Sequence, residues 1–358
     1  MRKIKKTTRS NIITYALVIA AYIIVEILLK TGNISSLMKG LLVPVCIYVI
    51  MAVSLNLTVG ILGELSLGHA GFMCVGAFVG AFFTNVAADA IPSVQLRFFI
   101  ALILGAIAAG IFGLIIGIPV LRLKGDYLAI VTLAFGEIVK NIINVLYIGK
   151  DSAGFHFSMK DSLSLGLQEG GEVIINGAQG ITGTPTVANF TIGVILILIT
   201  LFIIINLVHS RTGRAVMAIR DNLIAAESVG INITKYKLLA FAVSASLAGV
   251  AGVLYAHNLS TLTALPKNFG YNMSITILVF VVLGGIGNIR GSVISAVILT
   301  ILPEVLRGLN AYRMLIYAVI LIAMMLFNAS PKTREFRERI IQEISKKKIG
   351  KNKDKEAA

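Results

Sequence analysis

Charge is scarce in this chain. Asp, Glu, Lys and Arg supply only 14% of the 358 residues, against 57% hydrophobic, and no soluble domain can hide that much apolar surface. Cysteine is scarcer still. Cys46 and Cys74 are the only two, both fall inside apolar runs, and with neither a disulfide framework nor a metal spacing they read as small packing residues. No nucleophile motif or metal-ligand cluster stands out. There is also no G-x-x-x-x-G-K-S/T phosphate loop, so the chain does not hydrolyse ATP by that route. An enzyme has little to work with here, and neither cofactor nor metal is expected.

What the chain does have is long apolar runs, with a mean hydropathy of +0.90. They lie at Ile12–Leu29, Leu37–Val59, Phe72–Ala88, Arg97–Leu121, Tyr127–Ile148, Phe190–Val208, Leu238–Ala256, Met273–Leu283, Ser292–Leu306 and Tyr312–Phe327. A span needs about 20 residues to cross about 30 Å of hydrocarbon, so flanking residues must extend the shorter runs. The fold class expected is all-α: a polytopic helical membrane protein of about ten transmembrane helices, with broken helices near 60–71 and 284–291. The first run is long for a signal peptide, carries Glu26 and lacks a small-residue cleavage site before Thr31, so it reads as a span.

The net charge of +15 suggests nucleic acid only until its distribution is followed. Ten of the 32 Lys and Arg lie after Ser330 and five in the first nine residues, a pattern that topology and anionic lipid explain better. With ten spans and both termini cytoplasmic, 23 of the 32 basic residues fall inside, eight fall outside, and Lys140 sits within a span. That asymmetry obeys the positive-inside rule. The division is then a basic leader over 1–10, a transmembrane domain over 11–328 and a basic tail over 329–358. Within the domain lie an extracytoplasmic loop, 149–188, and a cytoplasmic segment, 209–237.

The stretch that holds this segment, Ser210 to Ala240, reads SRTGRAVMAIRDNLIAAESVGINITKYKLLA. Val216, Ile219, Leu223 and Ala226 recur at helical steps, with Thr212 and Gly213 at the start and Gly230 at the end of a single short amphipathic helix. Two readings fit it: a docking element for a soluble partner, or an ordinary solvated loop helix.

Polar residues also interrupt the spans. GILGELSLGHAG, from Gly60 to Gly71, holds Glu64, Ser66 and His69 among four glycines. Membranes permit such unwinding only where protein or a water-filled cavity covers the freed backbone. It reads as the lining of a passage or gate, or as a re-entrant corner whose side chains satisfy local backbone. GGIGNIRG, with Gly284 and Gly285 at its start, resembles it in kind, and paired interruptions point to internal pseudo-symmetry around a central pathway. Glu137 and Lys140, three apart on one helix face, read as a pair. Small-residue repeats such as Gly76/Gly80, Gly113/Gly117, Ala245/Gly249 and Ala248/Gly252 read as close helix packing. Two transport classes remain open: a proton-driven secondary carrier using Glu137 and Lys140, or the membrane subunit of a primary transporter whose ATPase is another polypeptide.

Four blocks, LNLTVGILGELSLGHAGFMCVGAF, LRLKGDYLAIVTLAFGEIVKNI, RTGRAVMAIRDNLIAAESVGINITKYKLLAFAVSASLAGVAGVLYAH and VLGGIGNIRGSVISAVIL, closely resemble successive blocks of the LivM-type permeases. These are membrane subunits of branched-chain amino acid ABC importers, and the resemblance runs in order from about Val53 to Leu306. It implies a helical permease in the bacterial cytoplasmic (inner) membrane, paired with a LivH-type permease subunit, two cytoplasmic ATPases and an extracytoplasmic solute-binding protein. The family's ATPase-contacting segment matches Arg220 to Ile231, including Asp221, Ala225, Ala226, Glu227 and Gly230. Related permeases are similar to importers of urea, short amides and other small polar solutes. The outer loop departs from the family pattern: its stretch NGAQGITGTP, Asn176 to Pro185, lacks the common double glycine.

Overall fold

The computed structural model describes residues 6–32, 35–121, 126–168 and 170–329. The first five residues of the leader, Arg122 and Lys124 of the LRLKGD turn, and the tail from Ser330 lie outside that set. Two units are distinguished, 1–300 and 301–358.

In the larger unit, α1 covers Lys6–Lys30 and α2 Ser36–Asn56, which continues as a π-helical turn over Leu57–Leu62. Helices α3 (His69–Val86), α4 (Val94–Val120) and α5 (Asp126–Val145) follow. Strands β1 (Tyr147–Lys150), β2 (Phe155–Ser158), β3 (Glu172–Asn176) and β4 (Ile181–Thr182) then lead into α6, Phe190–His209. Next come α7 (Arg211–Asp221), α8 (Leu223–Ser228), α9 (Ile233–Ala256), β5 (Thr261–Leu262), α10 (Pro266–Phe269), α11 (Tyr271–Gly284) and α12 (Ile289–Val305). The second unit takes in the last five residues of α12, a 3-10 segment over Leu306–Tyr312 and α13, Arg313–Ala329. Among the described residues nine helices are long and apolar enough to cross a membrane. α13, where the tenth span was expected, has 17 residues.

Several helices begin where a side chain replaces the missing backbone acceptor. Ser35 starts α2, Ser93 starts α4 and Asn232 starts α9, the last by accepting from Lys235 N at 3.0 Å. The Asn232 cap explains why α9 begins five residues before the apolar run at Leu238. α9 is the centre of the packing, with α3 and α4 lying most extensively against it and α2 close by. Small residues allow this: Gly76 meets the backbone of Gly249, Gly113 faces Ala245 and Gly252 faces the Met73 carbonyl. Phe72 fills the remaining gap between Phe135 and Phe241, with ring centroids at 5.1 and 5.5 Å. The outer face of α4 is apolar and open at Leu96, Phe99, Ile103, Ile107, Ile111 and Ile118, a stripe suited to lipid rather than water.

The 149–188 loop is more ordered than a polar connection need be. The helix before it stops at Val145, and Tyr147 and Ile148, expected at the end of a span, instead open β1. β1 is the middle of a three-stranded antiparallel sheet, pairing Tyr147 with Ser158 on one side and with Asn176 on the other. Asp151 closes the β1–β2 turn, accepting from Ala153 N at 2.8 Å, Gly154 N at 3.0 Å and Gln168 N at 3.2 Å, with His156 Nε2 at 3.0 Å. Desolvation pushes its carboxyl upward, but those donors together outweigh it and hold it below the usual carboxylate range. β4 pairs with β5, and Ala188 N donates to His257 O at 3.2 Å. The 149–188 loop is therefore laced to the connection that follows α9.

Candidate functional site

α6 has 20 residues, about 30 Å of helix, so α7 lies at the opposite end of the bundle from the strands. Ser210 starts α7 by accepting from Gly213 N at 3.1 Å, and Val216 and Ile219 are buried beneath it. The single helix expected to reach Gly230 is in fact two. Asn222 has extended backbone (φ −157°, ψ 105°), and its side chain accepts from Ala225 N at 3.0 Å, starting α8. An asparagine offers the chain a side-chain acceptor in place of the next helical carbonyl, which is why the break falls there. α8 ends before Gly230, at φ 83°.

The six residues matched to the ATPase-contacting segment part company in this elbow. Ala226 is buried, while Ala225, Glu227 and Gly230 are exposed. Asp221 is also exposed but accepts from its neighbour Arg220, whose Nε and Nη2 donate to Asp221 Oδ1 at 3.0 and 2.8 Å. Arg220 also turns inward: its Nη1 donates to the Gly60 carbonyl at 3.0 Å. Two apolar side chains that the helical stripe had left out, Ile224 and Val229, stand 78% and 74% exposed on the elbow. Their signal in the sequence was that they are out of phase with Val216, Ile219 and Ala226.

At the first break, α2 widens into the π-helical turn and ends at Gly63, with φ 81°. A side chain at Gly63 would run into the Arg220 stem, at 2.6 Å from Cγ. Beyond it the chain has no regular secondary structure until His69 opens α3. Glu64 forms an ion pair with Lys237 in the second turn of α9. Ser66 is buried with its hydroxyl unpartnered, and Leu67 N donates to Thr132 Oγ1 at 3.0 Å. His69 is buried, with Nε2 2.7 Å from Ser54 Oγ.

The second break follows Gly284, with Gly285 at φ 92° and Gly287 at φ 79° before α12 resumes. The two breaks touch. Asn56 Oδ1 accepts from Gly287 N at 2.9 Å and its Nδ2 donates to Ser292 Oγ, also at 2.9 Å. A Cβ on Gly60 would strike both Asn56 Oδ1 and the Gly287 backbone. Asn56 was missed in the sequence; its one signal is an amide placed at the end of an apolar run, just before the glycines.

Glu137 and Lys140 pair as their spacing suggested, and Glu137 Oε1 also accepts from Tyr271 N at 2.8 Å. That carboxylate thus caps α11 and ties α5 to it. Both members of the pair are engaged in packing, which is a structural role. Among the described residues no group of three His, Cys, Asp or Glu could hold a metal ion.

The family model for the branched-chain amino acid transport system permease component matches residues 37–327. The chain is 34% identical over 300 residues to the high-affinity branched-chain amino acid transport system permease protein LivM of Salmonella typhimurium and to that of Escherichia coli K12, covering 80% of this chain and 68% of each relative. It is 24% identical over 267 residues to the LivH permease protein of Escherichia coli K12, covering 71% of this chain and 80% of that one. No solved structure matches.

Proposed function

The chain belongs to the family of branched-chain amino acid transport system permease components, and from that premise we propose that it carries branched-chain amino acids inward across the bacterial cytoplasmic membrane. It is a multi-pass permease subunit of an ABC importer. In this proposal it works beside a LivH-type permease subunit, takes solute from an extracytoplasmic binding protein, and is driven by two cytoplasmic ATPases that seat on α7–α8.

The observation that carries the mechanism is a pair of ties to the first glycine break, one from this elbow and one from the start of α9. Arg220, in the last turn of α7, holds the Gly60 carbonyl, and Lys237, in α9, holds Glu64. Asn56 then passes any displacement of that break to Gly287 and Ser292 at the second. ATP-driven closure of the ATPases pushes α8 through Ile224, Glu227 and Val229. The two breaks, with Glu64, Ser66, His69, Gly284 and Gly285 at their edges, act as the gate around which the spans rock. Helix breaks are where an otherwise fully bonded span can bend.

The test is uptake by the reconstituted importer with its binding protein. Labelled leucine is expected to accumulate inside vesicles only with ATP on the ATPase side, and to persist when the proton gradient is clamped or collapsed. Accumulation that survives ATP depletion and collapses with an uncoupler refutes the proposal.

A further inference from the structure

At the strand end of the bundle a cavity of about 810 Å³ opens among the α3–α4 connection, the start of α4 and the strands. Its charged lining comprises Asp89, Arg97, Lys150, Asp151 and Glu172. The acidic groups already have cationic or N–H neighbours. Asp89 pairs with Lys150 at 3.4 Å, Asp151 is filled by the turn it closes, and Glu172 sits across the ladder from Lys150.

Arg97 differs. It is only 9% exposed, its Nη1 donates to the Thr84 carbonyl at 2.9 Å, its Nε has no acceptor, and it forms no ion pair with a described carboxylate. A guanidinium so far removed from water, with its Nε donor unfilled, is costly unless an anion completes it. Nor can it swing away freely. Thr84 behind it is fully buried, with Oγ1 2.9 Å from His257 Nε2, and His257 Nδ1 donates to Val253 O at 2.9 Å with Phe98 edge-on to its ring.

We propose that this cavity is a carboxylate subsite, in which Arg97 receives the carboxylate of an amino acid as it leaves the binding protein and before it enters the passage. The proposal rests on the importer reading above. The same carboxylate chemistry could come from an acidic side chain of the docked binding protein, so the test separates the two sources.

The reporter is Ala88→Cys, exposed on the cavity wall; the native Cys46 and Cys74 are both buried and give little background. The complete permease–ATPase complex in nanodiscs is labelled with a charged thiol reagent. One arm adds leucine, 4-methylpentanoate or leucinol without binding protein; the other adds solute-free binding protein alone. Leucine and 4-methylpentanoate are expected to slow labelling several-fold, leucinol to have no effect, and the protection to weaken in Arg97→Lys and vanish in Arg97→Met. Thermal melting and ATP hydrolysis of each variant establish that it is folded. Arg97-dependent protection by the binding protein alone keeps the carboxylate subsite and assigns its anion to the partner. Equal protection by leucinol, or no Arg97-dependent protection in either arm, overturns the subsite. Normal ATP-driven leucine uptake in the same preparation would show that the importer reading stands without it.

Discussion

The Arg220 guanidinium and the Gly60 carbonyl are joined at 3.0 Å across 160 residues of sequence. The bond runs from the last turn of α7 to the turn where α2 loses its regular ladder, so it links a surface helix to the interior of a span. Arg220→Ala removes it, and with it the stem that packs against Gly63. A hydrogen bond from a charged donor is worth about 1.5–3 kcal/mol, so leucine uptake is expected to fall by about tenfold or more while ATP hydrolysis continues. Arg220→Lys keeps the charge but not the forked donors, and should restore only part of the loss. Parallel uptake and phosphate-release assays on vesicles check this; proportional loss of both activities would place Arg220 at the ATPase surface instead.

Glu64 and Lys237 are 16% and 9% exposed in their side chains, so removing one partner strands the other largely out of water. Glu64→Gln and Lys237→Met are each expected to cost about 3 kcal/mol, the low end for breaking a buried pair. The double variant should recover much of it, because no unpaired charge is left behind. A melting series in detergent reads the difference, and additive losses would mean that the pair is not coupled.

On α8 the expectation divides stability from assembly. Ile224 is 78% exposed, so Ile224→Asp should change the stability of the chain alone by no more than about 0.5 kcal/mol. It should nevertheless sharply reduce copurification of the ATPases, as a charge driven into an apolar contact does. Glu227→Arg and Gly230→Val, which alter the exposed edge and a backbone at φ 83°, should abolish uptake while the protein remains inserted. Normal uptake at normal membrane levels would remove this elbow from the coupling route.

Asp151 gives the strand segment a defined acid limit. Its folded carboxyl sits below the usual range, so its contribution is fully present above the unfolded value of about 3.9 and is lost as pH falls through the folded value. The protection of the β1 and β2 amides against exchange, relative to an unstructured peptide at the same pH, should therefore hold from neutral pH down to about pH 4 and fall only below. Asp151→Asn should loosen the turn at every pH and lack the acid step. An acid step that persists in the variant would assign it to another group.

How far the sequence reaches is clearest residue by residue. The spans and both breaks are legible because apolar runs and clustered glycines are local signals. The paired breaks, inferred from composition, meet through Asn56, Gly287 and Ser292, yet Asn56 and Ser292 are 236 residues apart and nothing local says so. Glu64 finds Lys237 across 173 residues for the same reason. Asn222 was legible in principle, since an asparagine three residues before Ala225 is a helix start, but the stripe of Val216, Ile219 and Ala226 ran through it and suggested continuity. The strands were obscured by their length, two to five residues each.

Where Gly76 meets Gly249 and Gly113 meets Ala245, main chains touch with almost no side chain between them. Such a seam has no rotamers to exchange and no slack to absorb a push. The trio of α3, α4 and α9 is thus the stiff member of the molecule and transmits load without deforming. On the proposed coupling route, compliance falls to the places where the helical ladder is interrupted, so a small thrust on α8 would arrive at Gly60 and Gly287 as a bend, much as a force on a rigid lever appears at its hinge.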